Sequence, residues 1–226
     1  MGNRYQRNMN TFSPEENAKF KGFRICVIGC GGLGGYAIEM LGRLGIGFIT
    51  AVDGDVFDET NLNRQILSSE KLIGREKANE AKARMGEINS EVEVTPIVGY
   101  LNADNYMKIL KGHDIVVDAL DNMATRKMLA NGCLELKIPL VHGAIAGWYG
   151  QVSTIMPGDK TMERLYHGDE NKGIEVELGN PSFTPAIVAA IQVAEVTKVL
   201  LGKGDILQNK LLTVDLLNHE YEVFDI

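Results

Sequence analysis

Val27-Ile28-Gly29-Cys30-Gly31-Gly32-Leu33-Gly34 opens the stretch that decides the fold, which continues through Asp53 and Asn61-Leu62-Asn63-Arg64-Gln65 to Lys77. Ahead of the glycines, Arg24-Ile25-Cys26-Val27-Ile28 is a short apolar run rich in β-branched residues, and an amphipathic stretch from Leu33 to Leu44 follows them. The order is strand, tight turn, helix. Gly29, Gly31 and Gly34 match G-x-G-x-x-G, in which missing side chains permit the turn, the close approach of a phosphate and the close packing of helix on strand. The helix N-terminus then offers unpaired N–H groups to an anion. A second strand, Phe48-Ile49-Thr50-Ala51-Val52, ends in Asp53, where an acid can accept hydrogen bonds from ribose hydroxyls. This βαβ unit predicts a nucleotide site.

Working outward, Ser13-Pro14-Glu15-Glu16 is a capping box with proline at the first helical position, so a helix over about 14–21 precedes the first strand. The arm before it, Arg4-Tyr5-Gln6-Arg7, has no evident partner in sequence and reads as a solvated tail. Downstream, Gly74-Arg75-Glu76-Lys77 opens a helix running to about Ile88, Glu93 to Val98 is a strand with an edge-like Pro96, and a helix lies near 103–110. Asp114 to Ala119 reads as a buried strand ending at Asp121-Asn122, followed by a helix over about 123–136 and a strand from Pro139 to Gly143. Such alternation predicts an α/β fold with a Rossmann-like, doubly wound, mostly parallel sheet. Ligands of these sheets bind beyond the carboxyl ends of the strands, where the glycine turn, Asp53 and Asp121 all fall. After Gly143 the pattern changes: Tyr149 to Met156 suggests an antiparallel addition, 157–182 is a polar loop, Pro185 to Leu201 an apolar helix, and 211–215 with 220–224 a closing hairpin.

The 226 residues are expected to form one domain, with 45% hydrophobic and 23% charged residues placing the chain among globular proteins. A net charge of −7 argues against a nucleic-acid surface, though not against a small phosphate ligand held by local cations. No apolar run reads as a membrane span and the N-terminus lacks a signal peptide's apolar core, so the expected location is cytoplasmic. Cys26, Cys30 and Cys133 have neither disulfide nor C-x-x-C spacing; no zinc site is expected, and the thiols read as buried or turn residues. His113, His142, His167 and His219 show no ligand spacing, and Trp148-Tyr149 reads as packing.

A nicotinamide cofactor has no evident use for Arg64 and Lys77 after the ribose-binding acid. Lys77 sits at a helix N-terminus, where the dipole disfavours a cation, and an anion there would resolve the conflict. Arginine offers bidentate donors and lysine a point charge, a useful pair for a triphosphate.

Taken in order, Arg4-Tyr5-Gln6-Arg7, the glycine turn, Asp53-Gly54-Asp55, Asn61 to Gln65, Gly74-Arg75-Glu76-Lys77, Asp121-Asn122 with Arg126, and Gly150-Gln151-Val152 resemble the MoeB/ThiF/HesA family, bacterial relatives of ubiquitin-activating enzymes. The resemblance covers nearly the whole chain. It implies a homodimeric nucleotidyltransferase that uses ATP and Mg2+ to adenylate the C-terminal glycine of a ubiquitin-like sulfur carrier ending in Gly-Gly, in thiamine, molybdopterin or related biosynthesis. The implied nucleotide contacts are Gly29, Gly31, Gly32, Gly34, Asp53, Asp55, Asn61, Arg64, Gln65, Lys77, Asp121 and Asn122. Asp53 would meet the ribose, Asn61, Arg64 and Lys77 the phosphates, Asp121 the magnesium, and Arg7 the ATP of the partner subunit. Arg64, Lys77, Asp121 and Arg7 are thus the implied catalytic set.

The chain departs from many members in lacking two zinc-binding C-x-x-C pairs and a cysteine in the crossover loop, here 157–182. Adenylation without an enzyme thioester is the expectation. The alternatives are adenylation of a small-molecule or tRNA carboxylate, an NAD-dependent oxidoreductase, and a catalytically silent nucleotide-binding dimer.

Overall fold

The computed structural model describes residues 3–166 and 175–226. After a 3-10 turn at Asn3–Asn8 come α1 (Pro14–Phe20), β1 (Arg24–Ile28), α2 (Gly32–Leu44), β2 (Phe48–Asp53), α3 (Lys77–Ile88), β3 (Glu93–Val98), α4 (Tyr106–Leu110), β4 (Ile115–Asp118) and α5 (Met123–Leu136). They are followed by β5 (Leu140–Ala146), β6 (Tyr149–Ile155), α6 (Thr161–Leu165), α7 (Glu175–Leu178), α8 (Phe183–Leu201), β7 (Lys210–Asp215) and β8 (Glu220–Asp225). The eight strands form one sheet in the order β3-β2-β1-β4-β5-β6-β7-β8. β3 through β5 pair in parallel, and β6, β7 and β8 are added antiparallel. The expected Rossmann-like, mostly parallel sheet with antiparallel C-terminal strands is therefore the observed one. Pro96 lies on β3, an edge strand where a missing N–H costs little.

Strand burial explains the two helical layers. Ile25, Val27, Ile115 and Val117 enter a core shared with Leu33, Ile38 and Leu41 of α2, Met85 of α3 and Val188 and Val196 of α8. Their neighbours Cys26, Ile28 and Val116 point the other way, into a core with Leu110 of α4 and Leu129 and Cys133 of α5. Period-two alternation of apolar residues with no polar face is what a sheet covered on both sides requires.

Three expectations change. The crossover region is partly helical, at α6 and α7, rather than a continuous loop; His167 lies outside the described residues. α8, with 19 residues and a mean hydropathy of 1.5, is long and apolar enough to cross a membrane, yet half of that window is buried inside the protein. It is a core helix: it packs on α2, β5 and β6, and its Gln192 donates to the carbonyls of Asp118 and Val141 at 2.9 and 3.2 Å. The N-terminal arm is anchored rather than solvated. Tyr5 Oη accepts from Asn89 Nδ2 at 2.8 Å, Arg4 donates to Asn89 Oδ1, and the Tyr5 ring lies against Gly45.

The cleft at the carboxyl ends of the strands

The sheet order reverses between β1 and β4, and a cleft with a volume of about 240 Å3 opens above that point. Ligands of open α/β sheets bind at such a switch point because the neighbouring connections leave to opposite faces. Gly29 turns the chain out of β1 with φ +98°, and a Cβ there would lie 2.6 Å from the carbonyl oxygen of Ala119. Gly34 lets α2 descend onto β1: its Cβ would meet the Gly29 oxygen at 1.7 Å. These are two of the three glycine roles expected from the motif. At Gly32, the first residue of α2, the nearest atom to a built Cβ is 3.5 Å away, so protein packing alone does not demand glycine.

Asp53 closes the turn from below. One carboxylate oxygen accepts from the Cys30 N–H at 2.7 Å and the other from the Asp55 N–H at 2.8 Å. Burial raises its pKa, an effect opposed by those two N–H groups and by Lys77. Asp55 shifts the other way: burial acts upward but is outweighed by hydrogen bonds from Tyr100 Oη at 2.5 Å and Lys77 Nζ at 3.0 Å. Lys77 is the buried member of this pair, with its side chain 7% exposed against 49% for Asp55. The anion demanded by a lysine at a helix N-terminus is thus present within the chain itself, which corrects the inference that its position alone calls for a ligand.

Arg64 reaches the cleft from the loop after the 3-10 turn Glu59–Asn61, with Nη1 donating to the Thr60 carbonyl and to Asn63 Oδ1, both at 2.9 Å. Gln65 is buried, and its Oε1 has no hydrogen-bond partner among the described residues. Across the cleft stand Asp121, exposed, and Asn122, whose Oδ1 caps α5 by accepting from the Thr125 N–H at 2.9 Å. Arg126 follows one turn into α5, 8% exposed.

Of the residues expected at the site, the cleft brings together Gly29, Gly31, Gly32, Asp53, Asp55, Arg64, Gln65, Lys77, Asp121 and Asn122. Three are placed elsewhere. Gly34 serves the helix–strand contact. Asn61 is buried and caps its own 3-10 turn, its Oδ1 accepting from the Asp58 N–H at 3.1 Å. Arg7 is exposed on an arm anchored beside Gly45 and Asn89, at the far ends of α2 and α3 from the cleft, so it does not line its own cleft. Tyr100, Arg126 and Asn180 line the cleft without having been assigned a role from sequence. Tyr100 carries no motif, and only its approach to Asp55 reveals it.

The side chains fit a polyanionic ligand. Arg64, Lys77, Arg126 and the N-terminus of the 13-residue α2 line the cleft around glycines that leave the backbone bare. Among the described residues no group of three or more His, Cys, Asp and Glu side chains is placed to hold a metal. Asp121 is a single carboxylate, which suits an ion that takes its other ligands from phosphates and water. The cysteines are buried and free: burial and the nearby Asp53 push the Cys30 thiol well up, and burial pushes Cys133 to about 12.

A doubly wound sheet with a glycine turn and a charged cleft over its switch point defines a protein of the Rossmann type. The ThiF family model matches residues 5–226, and the chain belongs to that family, among its adenylyltransferase enzymes. It is 34% identical over 224 residues to the SAMP-activating enzyme E1 of Haloferax volcanii, covering 97% of this chain and 83% of that protein. It is 30% identical over 225 residues to the molybdopterin-synthase adenylyltransferase of Salmonella typhimurium, covering 96% of this chain and 90% of that protein. Among solved structures, Escherichia coli MccB with ATP superposes with a TM-score of 0.84 at 23% identity, covering 99% of this chain and 72% of that one; at this identity the likeness speaks for the fold.

Proposed function

We propose that this protein uses Mg-ATP to adenylate the C-terminal glycine carboxylate of a ubiquitin-like sulfur-carrier protein, releasing pyrophosphate. The observation that carries the reading is the union of two cavities. The charged cleft meets a second groove of about 410 Å3, and Arg126, Ala144 and Ile145 line both. A nucleotide in the first and a chain terminus in the second would bring a carboxylate to the α-phosphate. Hydride transfer gives no such use to Arg64 and Lys77.

The reaction needs little acid–base help. A C-terminal carboxylate is ionised at neutral pH, so its oxygen attacks the α-phosphorus without a general base. The new bond is carboxylate oxygen to α-phosphorus; the bond that breaks joins that phosphorus to the oxygen bridging to the β-phosphate, and pyrophosphate departs with the electron pair. Positioning and charge neutralisation supply the catalysis. Arg64 and Lys77 would offset phosphate charge, Lys77 being held against Asp55 so that its ammonium is fixed before ATP arrives. Asp121 would hold magnesium, which supplies further charge neutralisation when bound. Asp53, with both oxygens tied to backbone N–H groups, is set for the ribose hydroxyls.

Arg7 would act in a homodimer, reaching the partner's ATP, since its anchored arm turns it away from its own cleft. The cytoplasm is the expected setting. Buried thiols with raised pKa values favour adenylation without an enzyme thioester, because the thiolate is the nucleophile. The test is mass spectrometry of a carrier ending in Gly-Gly incubated with enzyme and ATP. The reading expects an AMP adduct on the C-terminal glycine that is absent with Arg64→Ala or Lys77→Ala; equal adduct in both variants would overturn it.

A further inference from the structure

A chain of polar side chains runs from the wall of the second groove into the core. Gln151 Nε2 lies 2.7 Å from Tyr166 Oη, Tyr166 Oη 2.8 Å from His142 Nε2, and His142 Nδ1 2.7 Å from Asp118 Oδ2. The other oxygen of Asp118 accepts from the Leu120 N–H at 3.0 Å. Asp118 and His142 are fully buried, on neighbouring parallel strands whose register sets them side by side. Asp118 is an ionised carboxylate and can only accept, so the donors run in one direction: Gln151 to Tyr166, Tyr166 to His142, His142 to Asp118. That direction requires His142 to carry its proton on Nδ1 and none on Nε2.

The far end of the chain is Arg126. Its Nε lies 3.7 Å from the same Asp118 oxygen that accepts from His142, too far for a hydrogen bond, and has no hydrogen-bond partner among the described residues although it is buried. Another of its nitrogens donates to the Leu120 carbonyl, which fixes the guanidinium in place. Nε is sealed toward Asp118, while the residue lines both cavities, where the guanidinium's remaining N–H donors would meet a ligand's carboxylate.

We propose that Tyr166 and His142 are positioning residues that keep Arg126 available to the incoming carboxylate. By filling the Asp118 oxygen, His142 prevents that carboxylate from drawing Arg126 into a closed pair. Asp118 sets the Nδ1–H tautomer, and Tyr166, by donating to Nε2, holds the ring where that hydrogen bond is made. Tyr166 is the C-cap residue of α6.

The test has two arms. In the first, long-range proton–nitrogen NMR of 15N-histidine-labelled full-length protein reads the His142 tautomer. The proposal expects Nδ1–H in the wild type and, in Tyr166→Phe, a shifted Nε2 resonance from the lost hydrogen bond; a wild type protonated on Nε2, or a variant spectrum that does not change, overturns it. In the second, pyrophosphate exchange is measured against carrier concentration, and ATP binding by calorimetry. Tyr166→Phe is expected to raise the KM for carrier roughly tenfold, the scale of one charge-assisted hydrogen bond, with ATP affinity unchanged. Equal loss of ATP and carrier affinity would overturn it in favour of a merely structural role. The kinetic arm rests on the adenylation reading and the NMR arm does not. A wild type without carrier-dependent exchange refutes the former, and the tautomer still decides the latter.

Discussion

Replacing Gly34 by alanine tests whether the glycine turn is built as described. The added Cβ would stand 1.7 Å from the Gly29 carbonyl oxygen, 2.7 Å from its carbon and 3.2 Å from Ala119 Cβ. Nonbonded carbon contacts settle at about 3.5–4.0 Å, so α2 must retreat from β1 by more than an ångström, against backbone that cannot swing aside. Overpacking of this kind costs about 3 kcal/mol at the upper end of its ordinary range. Alanine's better helix propensity returns about 1 kcal/mol, leaving a loss of about 2 kcal/mol. In a chain of this length that lowers the melting temperature by about 4–8 °C. Two neighbours calibrate the result. At Gly86 in α3 a Cβ meets nothing within 4 Å, so Gly86→Ala should stabilise by about 0.5–1 kcal/mol. At Gly32 the nearest atom is 3.5 Å away, so Gly32→Ala should melt within about 0.5 kcal/mol of wild type while losing nucleotide affinity, because the new methyl faces the cleft. Thermal unfolding and urea titration measure all three. A Gly34→Ala variant as stable as wild type would refute the claim that this glycine exists for helix–strand contact.

Lys77→Met leaves Asp55 with Tyr100 alone and removes the fixed ammonium; ATP binding measured by calorimetry should weaken at least tenfold, on the scale of a charge-assisted hydrogen bond, whereas the fold persists by circular dichroism. Arg7→Ala and Arg64→Ala should each be inactive alone, yet an equal mixture, allowed to exchange subunits, should recover up to about a quarter of wild-type exchange, since random assortment restores one site in each mixed dimer. No recovery would argue against Arg7 acting across subunits. Acid should destabilise the protein through the buried network. Burial lowers the pKa of His142, so the unfolded state takes up the proton first and stability falls as pH drops below about 6.5. Asp118 is also lowered: burial acts upward, but His142 and Arg126 outweigh it, so its contribution is present above the unfolded carboxylate value and lost at still lower pH. Urea unfolding at pH 7.5 and 5.5 should therefore show a smaller loss in His142→Gln than in wild type.

The parts of the molecule that could be read from sequence are those governed by local chemistry. The Val27–Asp53 unit needs only hydrophobic periodicity, glycine sterics and an acid at the end of a strand, and all of these are visible along the chain. Ser13 and Glu16 form the expected capping box, with the hydroxyl accepting from the Glu16 N–H at 3.2 Å. What sequence hid are pairings between distant polar residues, which have no period. Tyr100 and Asp55, Tyr5 and Asn89, and the line from Gln151 to Asp118 each join separate elements, and only the sheet order brings them together. Asn61 shows the opposite hazard: a polar residue in a motif loop whose side chain is already occupied in shaping that loop. Lys77 shows both, since its unusual position was legible but its internal partner was not.

The central claim is tested most directly by ATP–pyrophosphate exchange with labelled pyrophosphate, run with and without a ubiquitin-like carrier ending in Gly-Gly. Exchange that requires the carrier, disappears when its terminal glycine is removed and is lost in Arg64→Ala is the predicted result. Exchange indifferent to the carrier, or none under any of these conditions, would contradict it.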